Sequence, residues 1–347
     1  MHKSQFIRDF VNGQMIDSQF LAKSKRLAEF RHKPGQYLNL VLSDASGDID
    51  AKVWDNAVPL SEKFDEGDVV HVKGRVTVYN NMLQLNVTTL RRCQPHEYDL
   101  SHFVRSTDRD ADGLVEQIRS RIEQVQNPFL KQLLKSFFDD PQCAAAFFAS
   151  PAAKDLHHAY VGGLAEHVVN ALQIARVVTH LYPQIDADLL TTGILLHDIG
   201  KLRELSGGAV VNYTDEGKLL GHVVLGALMV EEKMNAIPHF PAELRMRVSH
   251  MVLSHHGVLE YGSPVVPKTL EAIALHHIEN MDAQLNHCLQ AMMAAGDQAW
   301  SDYDKKWGRQ FYVGRGATTN DSGTTPTSES SGGASQASLS ATPKSLF

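Results

Sequence analysis

The stretch LLHDIGKL, residues 195–202, constrains this chain most, because it sets two polar side chains next to each other in an otherwise apolar run. The pattern is typical of a buried helical segment, with His197 and Asp198 in its middle. Burying an imidazole and a carboxylate costs several kcal/mol unless each group is paired or bound to a metal ion. The fold must therefore supply partners for both side chains from other parts of the chain.

Partners of suitable chemistry recur in four further apolar segments with helical spacing. They are, in chain order, His167, His222, His255, His256, Glu279 and Asp282. A lone buried histidine is more often a satisfied core residue than a ligand. Five such segments in succession, counting LLHDIGKL, favour a shared site instead.

The distances between these segments along the chain fit one helix and one connection each, so antiparallel helices of a bundle can bring the side chains together. Imidazole and carboxylate ligands suit Mn²⁺, Fe²⁺, Co²⁺, Ni²⁺ or Zn²⁺ better than Ca²⁺. One aspartate with four or more histidines exceeds the needs of a single tetrahedral site. We therefore predict two divalent metal ions bridged by Asp198.

Residues 1–95 predict β structure. The segments 38–55 and 68–93 alternate apolar and polar residues on both sides of a turn, as hairpins do. Short strands with tight turns favour a small barrel or a sandwich, and these segments resemble an OB-fold of the nucleic-acid-binding type. With 13 Lys and Arg against 11 Asp and Glu, residues 1–95 are also the more basic part of a chain whose net charge is −7.

Candidate nucleic-acid contacts in this region combine aromatic rings, which stack on bases, with cations, which meet phosphates. They are Tyr37, Lys52, Trp54, Lys73, Arg75 and Tyr79. The alternative is that Tyr37 and Trp54 fill the barrel core and that the charged groups are merely solvated.

Together with residues 1–95, the rest of the sequence predicts an α+β multidomain chain in which a barrel precedes an all-α helical bundle. Residues 96–139 read as a linker and helical region, in which Asn127–Pro128 ends a helix. Residues 140–312 read as the bundle, with helical spacing to about residue 310. Residues 313–347 are rich in Ser, Thr and Gly and are predicted to be disordered.

The cellular compartment is predicted from weak signals that agree. The three cysteines are far apart and form no CxxC pair, which fits a reducing environment. The N-terminal residues contain no apolar signal-peptide core, and no apolar run is long enough to cross a bilayer. We expect a cytoplasmic protein without a membrane partner.

The histidine and aspartate pattern resembles the HD-domain superfamily of metal-dependent phosphohydrolases. The matching residues are His167, the His197–Asp198 doublet and an acidic residue within 279–282, with His222 and His255 or His256 as in the binuclear members. The resemblance implies hydrolysis of a phosphoester by metal-activated water, with no covalent nucleophile from the protein.

Some positions depart from the family pattern or leave a choice between two roles open. Where the family usually has ADNLDA, this chain has IENMDA, so Glu279 stands at the expected ligand position and Asp282 is its rival. Lys201 either neutralises phosphate charge beside the metals or is a solvated helix end. His158 and His277 are candidates for contacts with the substrate or with the metal ligands.

An OB-like domain followed by an HD domain resembles the YhaM family of bacterial 3′→5′ exoribonucleases. The motifs HHAYVGGLAEHV, LLHDIGK and GDIDAKVWD carry this resemblance. It implies removal of nucleotides from the 3′ end of single-stranded RNA, and also of single-stranded DNA, with a divalent metal that is often manganese. It is also compatible with a homo-oligomer.

Two other functions stay open at this point. An HD centre could act on a nucleotide, a cyclic dinucleotide or another small phosphoester, with the OB-like domain as a regulatory module. Alternatively, the chain could be a non-catalytic RNA-binding protein with a structural or decayed metal centre. The intact histidine and aspartate set argues against the second of these.

Overall fold

The computed structural model describes most of the chain in ten stretches. They are residues 3–30, 32, 34–80, 82–104, 107, 109–153, 160–206, 211–296, 298–305 and 307–314. Contacts divide the chain into two units, Met1–Ala283 and Gln284–Phe347.

The N-terminal region is a closed five-stranded barrel, as the two alternating segments predicted. Its strands are β1 (Met15–Glu29), β2 (Gln36–Asp44), β3 (Gly47–Val53), β4 (Val69–Tyr79) and β5 (Met82–Arg92). Their order around the barrel is β1-β2-β3-β5-β4, with β3 and β5 parallel and the other pairs antiparallel. A short helix, α1 (Ala57–Ser61), joins β3 to β4.

The barrel core consists of the apolar residues that alternate along each strand, because successive side chains of a strand point to opposite faces. Leu38, Leu40 and Leu42 of β2 are fully or almost fully buried, while the residues between them are partly exposed. The opposite face of β2, β3, β5 and β4 therefore lies outward.

The rest of the chain is a helical bundle, as predicted. Its helices are α2 (Ala111–Gln124), α3 (Pro128–Phe138), α4 (Pro141–Ala149), α5 (Gly163–Leu181), α6 (Ala187–Leu196), α7 (Lys201–Glu204), α8 (Asp215–Asn235), α9 (Ala242–Ser254) and α10 (Leu270–Ala294). Asn127 caps α3 with its side chain, which accepts hydrogen bonds from two backbone amides, and Pro128 occupies the first position. Apolar residues of α2 to α6 and α8 to α10 form one core.

The prediction of helix to about residue 310 was wrong. Helix α10 ends at Ala294, and antiparallel bridges then join Trp300 to Tyr312 and Asp304 to Arg309. Gly308, with φ of +61°, provides the turn between them in a conformation that favours glycine. The tail predicted to be disordered lies, from residue 315 onward, outside the described residues. Within the described stretches, every helix is too short or too polar to span a bilayer.

Candidate metal centre and nucleic-acid face

The His197–Asp198 doublet lies at the end of α6, where the chain turns into the short helix α7. Both side chains are buried, and so is Lys201, which begins α7. Gly200 makes this turn compatible with the neighbouring helix, because a Cβ there would lie 2.0 Å from the backbone oxygen of His222. The glycine thus lets α7 approach α8 closely enough to bring His222 to the doublet.

A first cluster of metal-ligand atoms is formed by His167, His197 and Asp198. Helix α5 supplies His167, whose Nε2 lies 3.2 Å from Nε2 of His197. His197 Nε2 is in turn 3.4 Å from Oδ2 of Asp198. All three side chains are buried, so this group of polar atoms is sealed from bulk water.

A second cluster is formed by His222, His255 and His256. Helix α8 supplies His222, and the other two follow directly after α9. Nε2 of His222 lies 2.9 Å from Nε2 of His256. His255 is almost fully buried, whereas the other two are partly exposed, so this cluster is the more accessible one.

Asp198 lies between the two clusters. Its Oδ2 faces His197, while its Oδ1 lies 3.5 Å from Nε2 of His222 and 3.7 Å from Nε2 of His255. Among the residues that the structure describes, neither Asp198 Oδ1 nor His255 Nε2 has a hydrogen-bond partner. Because such buried groups are costly without a partner, these two atoms fit a divalent cation held on the side of Asp198 that faces His222 and His255.

Two histidines of the site are held by backbone carbonyl groups of their own helices. Nδ1 of His197 donates to the oxygen of Ile194 at 2.8 Å, and Nδ1 of His255 donates to the oxygen of Val252 at 2.7 Å. Because a carbonyl oxygen can only accept, the proton of each neutral ring is on Nδ1. Nε2 of each ring then carries a lone pair that points into the site, and Nε2 of His255 has no hydrogen-bond partner among the described residues.

Two other histidines are held by carboxylates. Nδ1 of His167 donates to Oδ2 of Asp282 at 2.7 Å, and Nδ1 of His222 donates to Oε1 of Glu204 at 3.0 Å. Metal-binding histidines generally have such partners, which orient the ring and make it a stronger ligand. Four histidines from α5, the α6–α7 turn, α8 and the end of α9 therefore present Nε2 to one region.

The electrostatics favour the ligand forms of most of these groups. The exception is His197, because burial alone would lower its pKa but Asp198 outweighs burial and raises that pKa. Burial lowers the pKa of His167 and holds the pKa of His255 well below its ordinary value. Burial, reinforced by His222, lowers the pKa of His256 to about 3. Burial alone would raise the pKa of Asp198, but Lys201 and His197 hold it well below its ordinary value. Neutral imidazoles and an ionised carboxylate are the forms that bind metals.

Lys201 is not a solvated helix end, which excludes one of its two interpretations. Its side chain is buried, and Nζ donates to Oδ2 of Asp198 at 2.6 Å. The ammonium group therefore places a fixed positive charge beside the candidate metal ligands.

The outer face of the barrel carries an aromatic group that includes two predicted contacts. The rings of Tyr37 and Trp54 stack with centroids 4.9 Å apart, and Phe30 lies 6.1 Å from Trp54 in a near-parallel orientation. Trp54 is 42% exposed, and neither Tyr37 nor Trp54 belongs to the barrel core. The alternative that these two rings fill the core is therefore wrong.

The predicted cations lie on the same outer face but differ in their pairing. Lys52 lies 5.7 Å from the centre of the Tyr37 ring and also contacts Asn39. Lys73 instead forms an ion pair with Asp17 at 2.8 Å. A phosphate contact by Lys73 would therefore compete with this carboxylate.

Arg75 and Tyr79 lie further along β4. Arg75 Nε donates to the backbone oxygen of Gly13 at 3.2 Å, and its strand position pairs with Asn86. Asn86 in turn pairs with Lys52 and accepts from the indole of Trp54 at 3.1 Å. Lys52, Asn86 and Arg75 thus form one row across β3, β5 and β4, whereas Tyr79 is exposed at the end of its strand.

Two known families match this chain in the two regions described above. Residues 164–284 match the HD domain, and residues 23–92 match the OB-fold nucleic acid binding domain. The chain carries an OB-fold domain followed by an HD domain. An HD domain with these histidine and aspartate clusters implies a metal-dependent phosphohydrolase, and the OB-fold domain suggests binding of single-stranded nucleic acid.

Solved structures that resemble part of the chain include the following three. The second OB-fold domain of replication protein A from Methanococcus maripaludis is 20% identical, with 26% of this chain and 94% of that chain covered and a TM-score of 0.21. The replication factor A related protein from Methanobacterium thermoautotrophicum is 21% identical, with 27% and 94% covered and a TM-score of 0.22. The p204 HINb domain is 11% identical, with 26% of this chain but less than half (47%) of that chain covered and a TM-score of 0.22. At these TM-scores the likenesses carry no argument about function.

The two candidates for the last ligand of the HD domain have different surroundings. Both oxygens of Asp282 are engaged, because Oδ2 accepts from His167 and Oδ1 accepts from Asn170 at 2.9 Å. Burial raises the pKa of Glu279 to about 7, and His197 only partly opposes this rise. Which carboxylate binds a metal stays a prediction, but the surroundings give Asp282 an orienting role.

Of the remaining two candidates, one can be placed, and it lies outside both clusters. His158 lies outside the described residues. His277 is exposed, whereas its neighbour His276 donates from Nδ1 to the backbone oxygen of His255 at 2.9 Å. Gly257, with φ of +80°, permits this contact, because a Cβ there would lie 2.2 Å from the His276 ring.

Sequence reasoning missed Glu204. Its segment, KLREL, reads as the exposed end of a helix, yet the side chain is 9% exposed and contacts His222. The available signal was an acidic residue seven positions after His197, the first residue of the doublet. The contact itself depends on how α7 and α8 meet, which no local pattern reports.

Proposed function

We propose that this protein is a metal-dependent exoribonuclease that shortens single-stranded RNA, and also single-stranded DNA, from the 3′ end. The direction of degradation and the polymeric substrate are inferred from the resemblance to the YhaM family. The metal-dependent hydrolysis is inferred from the HD domain and its two ligand clusters.

One observation carries the proposal. A buried aspartate, Asp198, lies between two histidine clusters, with an oxygen that has no hydrogen-bond partner among the described residues. A pair of divalent ions bridged in this way is suited to phosphodiester hydrolysis, because both the entering and the leaving oxygen carry negative charge.

The residues that would hold the metals follow from the two clusters. His167, His197 and Asp198 would hold one ion, and His222, His255 and His256 would hold the other together with Asp198, with Glu279 completing the set. When bound, such ions lower the pKa of water and neutralise charge on the phosphate. We favour Mn²⁺, while Co²⁺, Fe²⁺, Zn²⁺ and Ni²⁺ suit the same donors.

The protein's own groups contribute charge and orientation. The ammonium of Lys201, 2.6 Å from Asp198, would stabilise the extra negative charge of the transition state. The carbonyl and carboxylate partners of the four Nδ1 atoms keep each ring in its ligand orientation. No serine or cysteine nucleophile is needed for this reaction.

The OB-fold domain would bind the single strand through its outer face. Trp54 and Tyr37 offer stacking surfaces for bases, and Lys52 and Arg75 lie in a row that fits successive phosphates. This arrangement favours a polymer over a free nucleotide. It contributes affinity without determining the sequence that is bound.

The proposal is tested with RNA that carries a 5′ label. In Mn²⁺ the wild type should produce a ladder of shortened 5′-labelled fragments, EDTA should stop the reaction, and Asp198→Asn should be inactive. A 3′-labelled substrate should release labelled mononucleotide at once. Internal cuts, or loss of nucleotides from the 5′ end, would contradict the proposed direction.

The same preparation tests the small-molecule alternative. Cyclic dinucleotides and mononucleotides are supplied under identical conditions, with metal content measured in parallel. Turnover of these compounds without degradation of RNA would replace the exonuclease proposal by that of a small-phosphoester hydrolase.

A further inference from the structure

Glu204 lies where the start of α8 meets the end of α7, and its backbone is firmly held there. Its carbonyl oxygen accepts from the backbone amide of Thr214 at 2.9 Å. Gly217 packs directly against it, since a Cβ on Gly217 would lie 2.3 Å from that oxygen. The position of the Glu204 side chain is therefore determined by the packing of two helices rather than by a mobile loop.

Helix α8 is interrupted next to this side chain. Gly221 has φ of +71° and ψ of 156°, so the regular helix stops there and begins again at His222. A helix that begins anew has backbone amides without partners in the preceding turn. The amide of His222 donates to Oε1 of Glu204 at 2.9 Å, which satisfies one of them.

The same carboxylate oxygen also accepts from the ring of His222. Nδ1 lies 3.0 Å from Oε1, so one oxygen holds both the backbone and the side chain of this histidine. Nε2 is left to face Asp198 and His256. Glu204 itself belongs to neither cluster of candidate ligands.

We propose that Glu204 is a positioning residue that sets the affinity of the metal position formed by His222, His255 and His256. This inference rests on the proposed metal-dependent function. The carboxylate fixes the tautomer and the direction of the His222 ring and makes it a stronger donor. Loss of such a partner typically weakens metal affinity about 10–100-fold.

The test is a Mn²⁺ titration of the metal-stripped full-length protein in the absence of RNA, with binding measured by calorimetry. The wild type should bind two ions. Glu204→Gln keeps an oxygen for the backbone amide but removes the negative charge, so one of the two dissociation constants should rise about 10–100-fold while the other stays unchanged. The matched control is Glu271→Gln, a carboxylate that is also buried but contacts the backbone amide of Asp186 and the side chain of Arg247. It should bind both ions as the wild type does.

A double variant separates positioning from a general effect on folding. If Glu204 acts through His222, Glu204→Gln combined with His222→Ala should weaken metal binding no more than His222→Ala alone. Additive losses, equal weakening of both metal positions, or an unchanged titration of Glu204→Gln would overturn the inference.

The outcome for Glu204 is distinguishable from that for the proposed function. If the wild type binds two ions but does not degrade RNA, the substrate proposal fails and the role of Glu204 stands on the titrations. If the wild type binds fewer than two ions, both proposals fail.

Discussion

The HD metal centre and the outer face of the OB-fold domain place polar groups in opposite ways. In the metal centre, His167, His197 and Asp198 are buried, and each contacts other residues of the site. On the OB-fold face, Trp54 and Tyr79 are exposed, although Trp54 also stacks on Tyr37. The first region is an enclosed set of ligands, and the second is an open surface.

This difference predicts how each region responds to change. A buried polar group that loses its partner is costly. Substitutions in the candidate metal centre should therefore have large and interdependent effects. A surface that binds by stacking and by charge should lose affinity in small and independent steps, and these should depend on salt. The following experiments test that contrast, from the largest expected effect to the smallest.

Asp198→Asn should abolish hydrolysis while leaving RNA binding by the full-length protein unchanged. The amide keeps the volume of the side chain but loses the charge that two metal positions would share. Activity on labelled RNA and binding by fluorescence anisotropy are measured in the same buffer. Appreciable cleavage by this variant would remove Asp198 from the bridge, and a loss of RNA binding would show that the two regions are not independent.

Addition of Mn²⁺ should stabilise the HD domain and not the OB-fold domain. At a Mn²⁺ concentration about one hundred times the dissociation constant, linkage predicts about 2.7 kcal/mol of stabilisation. Hydrogen exchange should slow in the segments that carry the histidines and stay unchanged in the strands of the barrel. Equal protection of both regions would contradict a metal site confined to the HD domain.

Gly200→Ala should destabilise the HD domain by about 1–3 kcal/mol, because the added carbon would collide with backbone atoms of His222 and Gly226. It should also weaken metal binding by displacing α8. Urea unfolding followed by circular dichroism measures the stability. Gly47→Ala is the control, since the nearest atom there, in Ile7, would lie at an ordinary 3.7 Å. Equal stability of both variants would argue against close packing at Gly200.

Trp54→Ala should weaken binding of single-stranded RNA by about 1–3 kcal/mol, the usual contribution of one stacked base. Cleavage of a saturating amount of RNA should change little, because the metal centre is intact. The control is Tyr182→Ala, which removes an aromatic ring of similar exposure at the end of α5. If both variants bind RNA as the wild type does, the aromatic face is not the binding surface.

Lys3 should make the stability of the OB-fold domain depend on pH. Burial lowers the pKa of Lys3 to about 8 from 10.5, although Asp44 at 3.2 Å opposes the change. The unfolded chain then binds the proton of Lys3 more tightly than the folded protein does. The free energy of unfolding should therefore rise as the pH increases from 8 to 10.5. Lys3→Met should lose this rise in melting temperature, whereas Lys23→Met, at an exposed ion pair with Asp48, should keep it.

Much of the fold and of the site could be predicted from local patterns. The alternation in 38–55 and 68–93 predicted two hairpins that the barrel contains, and Asn127–Pro128 predicted the break that separates α2 from α3. The histidines that the structure brings together were predicted from their occurrence as polar residues in apolar helical segments. Such patterns work because a buried polar group must have a partner somewhere in the chain.

Other features depended on contacts that no local pattern contains. The exposure of Trp54 and the ion pair of Lys73 are set by neighbouring strands, and the burial of Lys201 is set by the packing around the doublet. The segment after Ala294 kept a helical spacing of apolar residues but forms antiparallel bridges around Gly308. In each case the environment outweighed the intrinsic preference of the segment.

By itself, the sequence determined the kinds of element, their order along the chain and the residues that needed partners, because periodicity and polarity act over a few neighbouring residues. The tertiary structure alone decided which atoms face one another. Gly200 permits the approach of α7 to α8, and the interruption at Gly221 turns His222 toward Asp198 and joins it to Glu204. Such encounters depend on the angles and distances between helices, which are properties of the packed protein.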